Sequence, residues 1–495
     1  MGSEKKIVKG VIWSTLANIV NAIYGFISVP ILINYFGKAE YGLIGLAMSV
    51  NVYMNLMDMG VNSTNVRFFS NWLANRNYGR LLKGFQTSLS FYGIVGLINV
   101  IVLLVIALFS DKIFNVTFQQ DVVLKHLFYI LAVSAFCQWF SSCFDQLIKA
   151  TENVAWIQKR MLFTKFLMII VLFATIWLKL SIELYYILTC LATLSIVPMS
   201  VGKIKKETPF INFLPKWDKQ AFKEMLPYCM NIFSFSIFQF SFYNLRPVFL
   251  GIQGTIESVA DYRILNGIIG IVTMLGGAFI GILLPSTSKV VANHDEKAYY
   301  RVAYDGTKYI SIIICFCCFG MMTVGKEVLT LYVGKSYLYL IPWFNLWLLC
   351  TLGIHNQAIS SLILAGNDIR AISYSSVVAS VLGLLTAWFL IPYYEIGGVC
   401  IAFVVYSVIQ LLFYYLYYWP CKMNINSIKI LKVCFMPFVI LGTLVYSFMQ
   451  IIPLNMSPFL MFIIKGSGFV VLYGLLVWLI LNNNDRMFFR GIIKR

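Results

Sequence analysis

Apolar runs of about 20 residues alternate along this chain with short polar breaks, the rhythm of membrane-crossing helices rather than the two-residue alternation of half-buried strands. Averaged over a window of about 19 residues, the pattern predicts spans over 11–36, 41–62, 86–109, 124–148, 161–180 and 184–201. A lysine-rich break follows at 202–224, and a second series covers 226–250, 261–284, 307–325, 341–364, 371–391 and 397–419. Two further spans fall at 431–452 and 459–481. The expectation is an all-α polytopic membrane protein of about 14 transmembrane helices, since backbone in lipid must satisfy its own hydrogen bonds. Its parts would be a six-helix bundle at 1–201, the linker 202–224, a second six-helix bundle at 225–419, and 420–495 with two extra helices and a basic tail.

The two series repeat weakly. Pro30 in VPILINYFGKAEYG parallels Pro247 in RPVFLGIQGTIESVADY, an offset of 217, and Ala150 in IKATENVAWIQ parallels Ala365 in ILAGNDIRAIS, an offset of 215. Six spans per half is an even number, so the halves share one orientation, a design in which substrates bind between pseudo-symmetric bundles around a central cavity.

Polar residues inside the spans are arranged in stripes. Ser14, Asn18, Asn21, Gly25 and Ser28 share one face of span 1, and Asn51, Asn55, Asp58 and Asn62 one face of span 2, which continues to Arg67. Span 7 carries Ser236, Gln239, Tyr243 and Arg246; span 8 opens with Asp261 and Arg263 and continues through Asn266 and Thr273. A central charge costs roughly 2.5 to 3.5 kcal/mol on insertion scales, so such residues need a reason. One reason is helix–helix hydrogen bonding; the other is a shared hydrated cavity. In the second case Arg246, Arg263 and Arg67, with Asn18, Asn21, Asn51, Asn55, Asn62 and Gln239, are candidates for binding an anion, since guanidinium forks match phosphate oxygens. Asp58, Asp261 and His355 are candidates for ion coupling or gating; the two acids are equally able to pair with the arginines, and His355 to bridge helices. Lys465 is expected to reach outward along its aliphatic stem.

Composition narrows the reading. Apolar residues make up 60% of the 495 and charged ones 12%, about half the ~25% of soluble domains. The net charge of +18 would suggest nucleic acid in a soluble chain. Here 29 of the 38 Lys and Arg residues fall on the side of the termini, so the charge reads as a topology signal with both termini cytoplasmic, and no nucleic-acid partner is expected. The apolar N-terminal run is too long for a secretory h-region and is expected to stay attached. The 202–224 segment reads as a linker ending in an interfacial helix with Phe210, Phe213 and Trp217 at headgroup depth, and the tail DRMFFRGIIKR as a second interfacial anchor. Eleven cysteines lack metal-ligand spacing and read as small core residues. The sequence holds no H-E-x-x-H, P-loop or G-x-S-x-G motif. A non-enzymatic transporter without cofactor is expected, driven by an ion gradient, the membrane potential or the substrate gradient.

Three stretches carry a family resemblance: VPILINYFGKAEYGLIGLA across spans 1 and 2, LMDMGVNSTNVRFFS at the end of span 2, and LILAGNDIR followed by FLIPYYEIGGVCIAF across spans 10 to 12. On these the chain resembles the polysaccharide flippases (Wzx type, oligosaccharide flippase family) of the multidrug/oligosaccharidyl-lipid/polysaccharide exporter superfamily. The resemblance implies two six-helix bundles around a cationic cavity and alternating-access movement of undecaprenyl-diphosphate-linked oligosaccharides, O-antigen units among them. That transfer would run from the cytoplasmic to the periplasmic leaflet of a bacterial inner membrane. It implies a lipid-linked anionic oligosaccharide, membrane lipids and other polysaccharide assembly proteins as partners, and places Asp58, Asn62 and Arg67 in the family's span 2 motif. Span 7 departs from the family, which often carries an acidic–basic pair where this chain reads Asn244, Leu245, Arg246 and Pro247. Two alternatives remain: a drug or cation antiporter of the same superfamily, which would want an acidic cavity, and a polytopic glycosyltransferase or polymerase, which would want large outer loops.

Overall fold

The computed structural model describes residues 3–366, 369–451, 456–483 and 485–486, and among these the regular secondary structure is all helix, with no strand. In the first part of the chain run α1 (Ser3–Phe36), α2 (Lys38–Met54), α3 (Val61–Ala74), α4 (Tyr78–Leu108), α5 (Phe118–Ala150), α6 (Val154–Trp177), α7 (Ile182–Leu194), α8 (Ile196–Glu207), α9 (Lys219–Gln253) and α10 (Ile256–Ala292). After them come α11 (Thr307–Thr323), α12 (Gly325–Tyr332), α13 (Ile341–Thr351), α14 (Gln357–Ala365), α15 (Ile369–Tyr394), α16 (Ile396–Leu412), α17 (Met436–Ile451) and α18 (Pro458–Ile480).

Helix starts follow capping chemistry. Thr117 and Gln120 form a reciprocal capping box at α5, and Asn77, Ser181 and Ser457 accept backbone N–H groups at the starts of α4, α7 and α18. The outer surface is apolar, with Phe118 and Trp177 each 84% exposed. That inverts the soluble pattern and suits a lipid solvent.

Two compact units form, one of 1–264 with 391–396 and the other of 265–390 with 397–495. The boundary between these units lies within α10. In the first unit α9 lies along α2, α3 and α4, with Gly251 so close to Leu46 that an added Cβ would come within 2.4 Å of its side chain. Within this unit α4 runs along α5 and α1 along α6, around a core of Phe69, Phe85, Leu89, Tyr92, Cys143 and Phe144. In the second unit Tyr414, Tyr418, Trp419, Ile430 and Cys434 form a core next to two π-helical turns, Phe413–Tyr418 and Ile430–Phe435. The cysteines are free, with Cys315 and Cys318 buried.

Among the described residues 12 helices are long and apolar enough to cross a membrane, against the 14 expected. The two that fall short are the predicted spans 41–62 and 226–250. The first breaks after α2, only 17 residues long; the second, α9, carries too many polar side chains along its 35 residues. These are two of the helices that bear polar stripes.

The 202–224 segment differs from its reading. The stretch 208–218 is irregular, not an interfacial helix, because its aromatic residues are used as wedges: Phe213 packs edge-on to Phe85 and Phe144, and Phe210 lies against Tyr78. Trp217, 44% exposed, stays at the surface. Lys465 does not reach outward. It is buried on α18 and pairs with the buried Glu327 of α12 at 2.7 Å. The tail beyond 486 and Asn367 and Asp368 of the LILAGNDIR stretch lie outside the described residues.

Candidate functional site

The predicted stripe on span 2 ends in a designed break. After α2 the chain makes a 3₁₀ turn, Asn55–Asp58, then takes two left-handed residues, Met59 at φ 50° and Gly60 at φ 77°, before α3 begins. Glycine is needed at 60 for its backbone angle and for space, because a Cβ there would lie 2.8 Å from the carbonyl oxygen of Cys229 on α9. The break leaves the Asp58 carboxylate at the N-terminus of α3, where Oδ2 accepts the Asn62 N–H at 3.1 Å and complements the helix dipole.

The other carboxylate oxygen ends a directed chain of hydrogen bonds. Ser88 donates to Asn65 Oδ1 at 2.8 Å, Asn65 Nδ2 to Gln146 Oε1, Gln146 Nε2 to the Tyr92 oxygen at 2.7 Å, and Tyr92 donates to Asp58 Oδ1 at 2.6 Å. Ser88, Asn65, Gln146 and Tyr92 are buried while Asp58 is half-buried. Every donor points toward the acid, so the chain polarises in one direction and supports its negative charge. The expected pairing of Asp58 with an arginine is not what forms; a phenol and a helix terminus serve instead.

Five cations of this unit are seated on rings. Arg263 reaches over Gly45 of α2, its Nε 3.3 Å from the Tyr41 hydroxyl and its terminal nitrogens 3.6 and 3.7 Å from Met48 Sδ. Only glycine at 45 leaves room, since a Cβ would come within 2.4 Å of Arg263 Cδ. Arg246, 2% exposed, lies against Phe242, Tyr243 and Tyr262 at 4.9, 5.2 and 5.7 Å. Arg67 sits 4.4 Å over Tyr228, Lys159 4.6 Å over Trp13 and Lys165 4.9 Å over Tyr24. Among the described residues Arg67, Lys159, Lys165 and Arg263 have no carboxylate oxygen within 4.0 Å. A ring attracts a cation through its quadrupole without cancelling the charge, so these groups keep their field for an anion. Asp261 is accounted for differently, by Lys38 at 2.8 Å.

The remaining candidates divide. Asn18, Asn21, Asn62 and Gln239 have exposed side chains on their helices. Asn51 and Asn55 come together on one pocket of about 160 Å³, with Gln138, Ser141 and Ser142 of α5 and Thr193 of α7 on its walls and Trp139 beside them. His355 belongs to the second unit, in a 3₁₀ turn between α13 and α14. Its ring bonds the Leu352 carbonyl oxygen at 2.8 Å and the Tyr415 hydroxyl at 2.7 Å, and stacks on Phe435 at 3.9 Å.

The sequence reading missed the network behind Asp58, and also the bidentate pair of Arg160 with Asp145 at 2.6 and 2.7 Å, to which Ser200 adds a bond. The available signal was an acid and an arginine flanking one turn inside otherwise apolar helices. Tyr41 and Lys38, which hold Arg263 and Asp261, carried no signal beyond standing near the start of a span.

Comparison with known proteins sets this geometry in a family context. Residues 7–291 match the family model described as polysaccharide biosynthesis protein. No curated protein sequence matches. Among solved structures, lipid II flippase MurJ in an inward closed conformation is similar with a TM-score of 0.73 at 13% identity, over 98% of this chain and 100% of that one. An inward-facing multidrug resistance MATE family transporter of the MOP superfamily is similar with a TM-score of 0.62 at 14% identity, over 87% and 95% of the two chains. At such identities the likeness is one of fold.

Proposed function

Since the chain belongs to the polysaccharide biosynthesis protein family, we propose that it is a flippase, not an enzyme, that carries an undecaprenyl-diphosphate-linked oligosaccharide across the bacterial cytoplasmic membrane by alternating access. The transfer runs from the cytoplasmic to the periplasmic leaflet, with both termini cytoplasmic, in the synthesis of a surface polysaccharide such as O-antigen. The observation that carries this reading is the seating of Arg263 on Tyr41 and Met48 with no carboxylate in ion-pair range among the described residues. A guanidinium held that way offers two parallel donors to a diphosphate and stays charged at any physiological pH. Arg67 and Lys165 add to the same field.

The test is accumulation of the lipid-linked sugar in a strain lacking the protein, with radiolabelled sugar located by leaflet. Wild-type chain should restore outward movement, and Arg263→Ala at normal abundance should leave the label in the cytoplasmic leaflet. Full export by that variant would overturn the assignment of Arg263, and normal export in the deletion strain the flippase reading itself. The half-buried Asp58 favours a second reading, a cation antiporter; export of a cationic dye that Asp58→Asn abolishes and Arg263→Ala spares would select it.

A further inference from the structure

The pocket bearing Asn51 and Asn55 is not needed to hold a diphosphate, because no charged side chain lines it. Its walls are neutral and hydrogen-bonding. Ser141 and Ser142 donate their hydroxyl hydrogens to the Gln138 carbonyl and Thr193 to the Thr189 carbonyl, which leaves hydroxyl lone pairs for a ligand. Among the described residues the carboxamides of Asn51, Asn55 and Gln138 make no side-chain hydrogen bond, so each keeps two donors and an acceptor. The volume, about 160 Å³, matches cavities of about 150 Å³ that take one six-membered ring, the size class of a single pyranose ring.

Register ties this pocket to the cation. Tyr41, Met48, Asn51 and Asn55 recur at seven, three and four residues and so share one face. Tyr41 and Met48 are the residues that hold Arg263. At 1.5 Å rise per residue, Asn51 and Asn55 lie roughly 4.5 and 10 Å along the axis from Met48, about the reach of one sugar beyond a diphosphate gripped at Arg263.

We propose that the Asn51–Asn55–Gln138 pocket is the subsite for the first, uncharged sugar of the lipid-linked substrate, the ring joined directly to the diphosphate. The proposal rests on the diphosphate reading above. Carboxamides that donate and accept at once match ring hydroxyls or an N-acetyl group, whereas a cation would want a carboxylate here and a phosphate a base.

The test compares two probes on the full-length protein in lipid nanodiscs by titration calorimetry: farnesyl diphosphate, and farnesyl diphosphate carrying one N-acetylglucosamine. The wild-type chain should bind the glycosylated probe about tenfold more tightly, the value of one or two well-made polar contacts. Asn55→Leu and, separately, Gln138→Leu should remove that preference and leave farnesyl diphosphate affinity unchanged. Equal wild-type affinity for both probes, a preference that survives both substitutions, or an equal loss for both probes in both variants would overturn the subsite while leaving the diphosphate reading standing. Binding of neither probe by the wild-type chain would overturn both.

Discussion

Tyr92 of α4 donates its phenolic hydrogen to Asp58 at 2.6 Å, across 34 residues of sequence, and so fixes the acid at the point where the second span breaks. The phenol itself receives the Gln146 amide, which makes it the link between a buried network and a half-buried carboxylate. Tyr92→Phe removes a charge-assisted bond and strands the Gln146 donor, a loss of ~1.5 to 3 kcal/mol. Asp58→Asn keeps one acceptor oxygen, which Tyr92 can still reach, and gives up only the more exposed bond from the Asn62 N–H, so it should cost less. Thermal unfolding in detergent by tryptophan fluorescence ranks the two, and an unchanged midpoint for Tyr92→Phe would show that the chain of bonds does not hold the break in place.

Two glycines on α2 separate packing from function. A Cβ at Gly42 would lie 2.2 Å from the Ile256 carbonyl oxygen, whereas one at Gly45 would lie 2.4 Å from Arg263 Cδ. Backbone cannot yield locally, but an arginine side chain can turn aside. Gly42→Ala should therefore lower the amount of protein in the membrane, and Gly45→Ala should leave abundance near normal and lower polymer export as Arg263→Ala does. Normal export by Gly45→Ala at normal abundance would mean that the seat of Arg263 is dispensable.

The buried pair Lys465–Glu327 ties α18 to α12 within the second unit. Nearby, α18 and α17 both pack on α11, and at the other end of α11 Lys308 pairs with Asp485 at 2.8 Å. Removing one partner of a buried pair leaves a charge uncompensated, a cost of ~3 to 5 kcal/mol, while replacing both is often neutral. Lys465→Met should markedly lower thermal stability, and Lys465→Met with Glu327→Leu should recover most of the loss. No recovery in the double variant would assign the effect to packing rather than to the stranded acid.

What the sequence revealed follows from range. Asn51, Asn55 and Asp58 were legible because they share one helix face at 3.6-residue spacing, and Arg263 because a guanidinium in an apolar run stands out. Tyr92 and Gln146 were not, since each sits alone in its own apolar or mixed helix and reads as core until folding sets it beside Asn65, which continues the span 2 stripe. Lys465 was misread for the same cause: its partner lies 138 residues away, so only its long stem was visible. Apolar content predicts 14 spans, of which 12 are long and apolar enough among the described residues; the two that fall short are the ones that carry a break or a polar face.

The proposed sidedness rests on the span pattern predicted from the sequence, which puts 29 of the 38 Lys and Arg residues on the side of the termini. Single cysteines at Lys206 and Ser457, in a background without the eleven native ones, should label differently with an impermeant maleimide in intact cells. Position 457 should react and position 206 should not. The reverse pattern would invert the assigned topology.

Asp218 gives the irregular 208–218 stretch its pH dependence. Its side chain caps α9 by accepting the N–H groups of Ala221 at 2.9 Å and Gln220 at 3.0 Å, and its own N–H is donated to Thr87 at 3.1 Å. The Ala221 N–H, and after it the charge of Lys83, hold the carboxyl below its ordinary value, about 3.9 in an unfolded chain. A depressed folded value means the cap is fully present above about pH 4 and is lost as pH falls through the folded value. Hydrogen exchange at the Gln220 and Ala221 amides, corrected for the intrinsic rate, should therefore accelerate as pH is lowered below about 4. Asn caps helices as well as Asp and does not titrate, so Asp218→Asn should hold its protection across that interval. Identical pH profiles for the two chains would show that the carboxylate does not govern the start of α9.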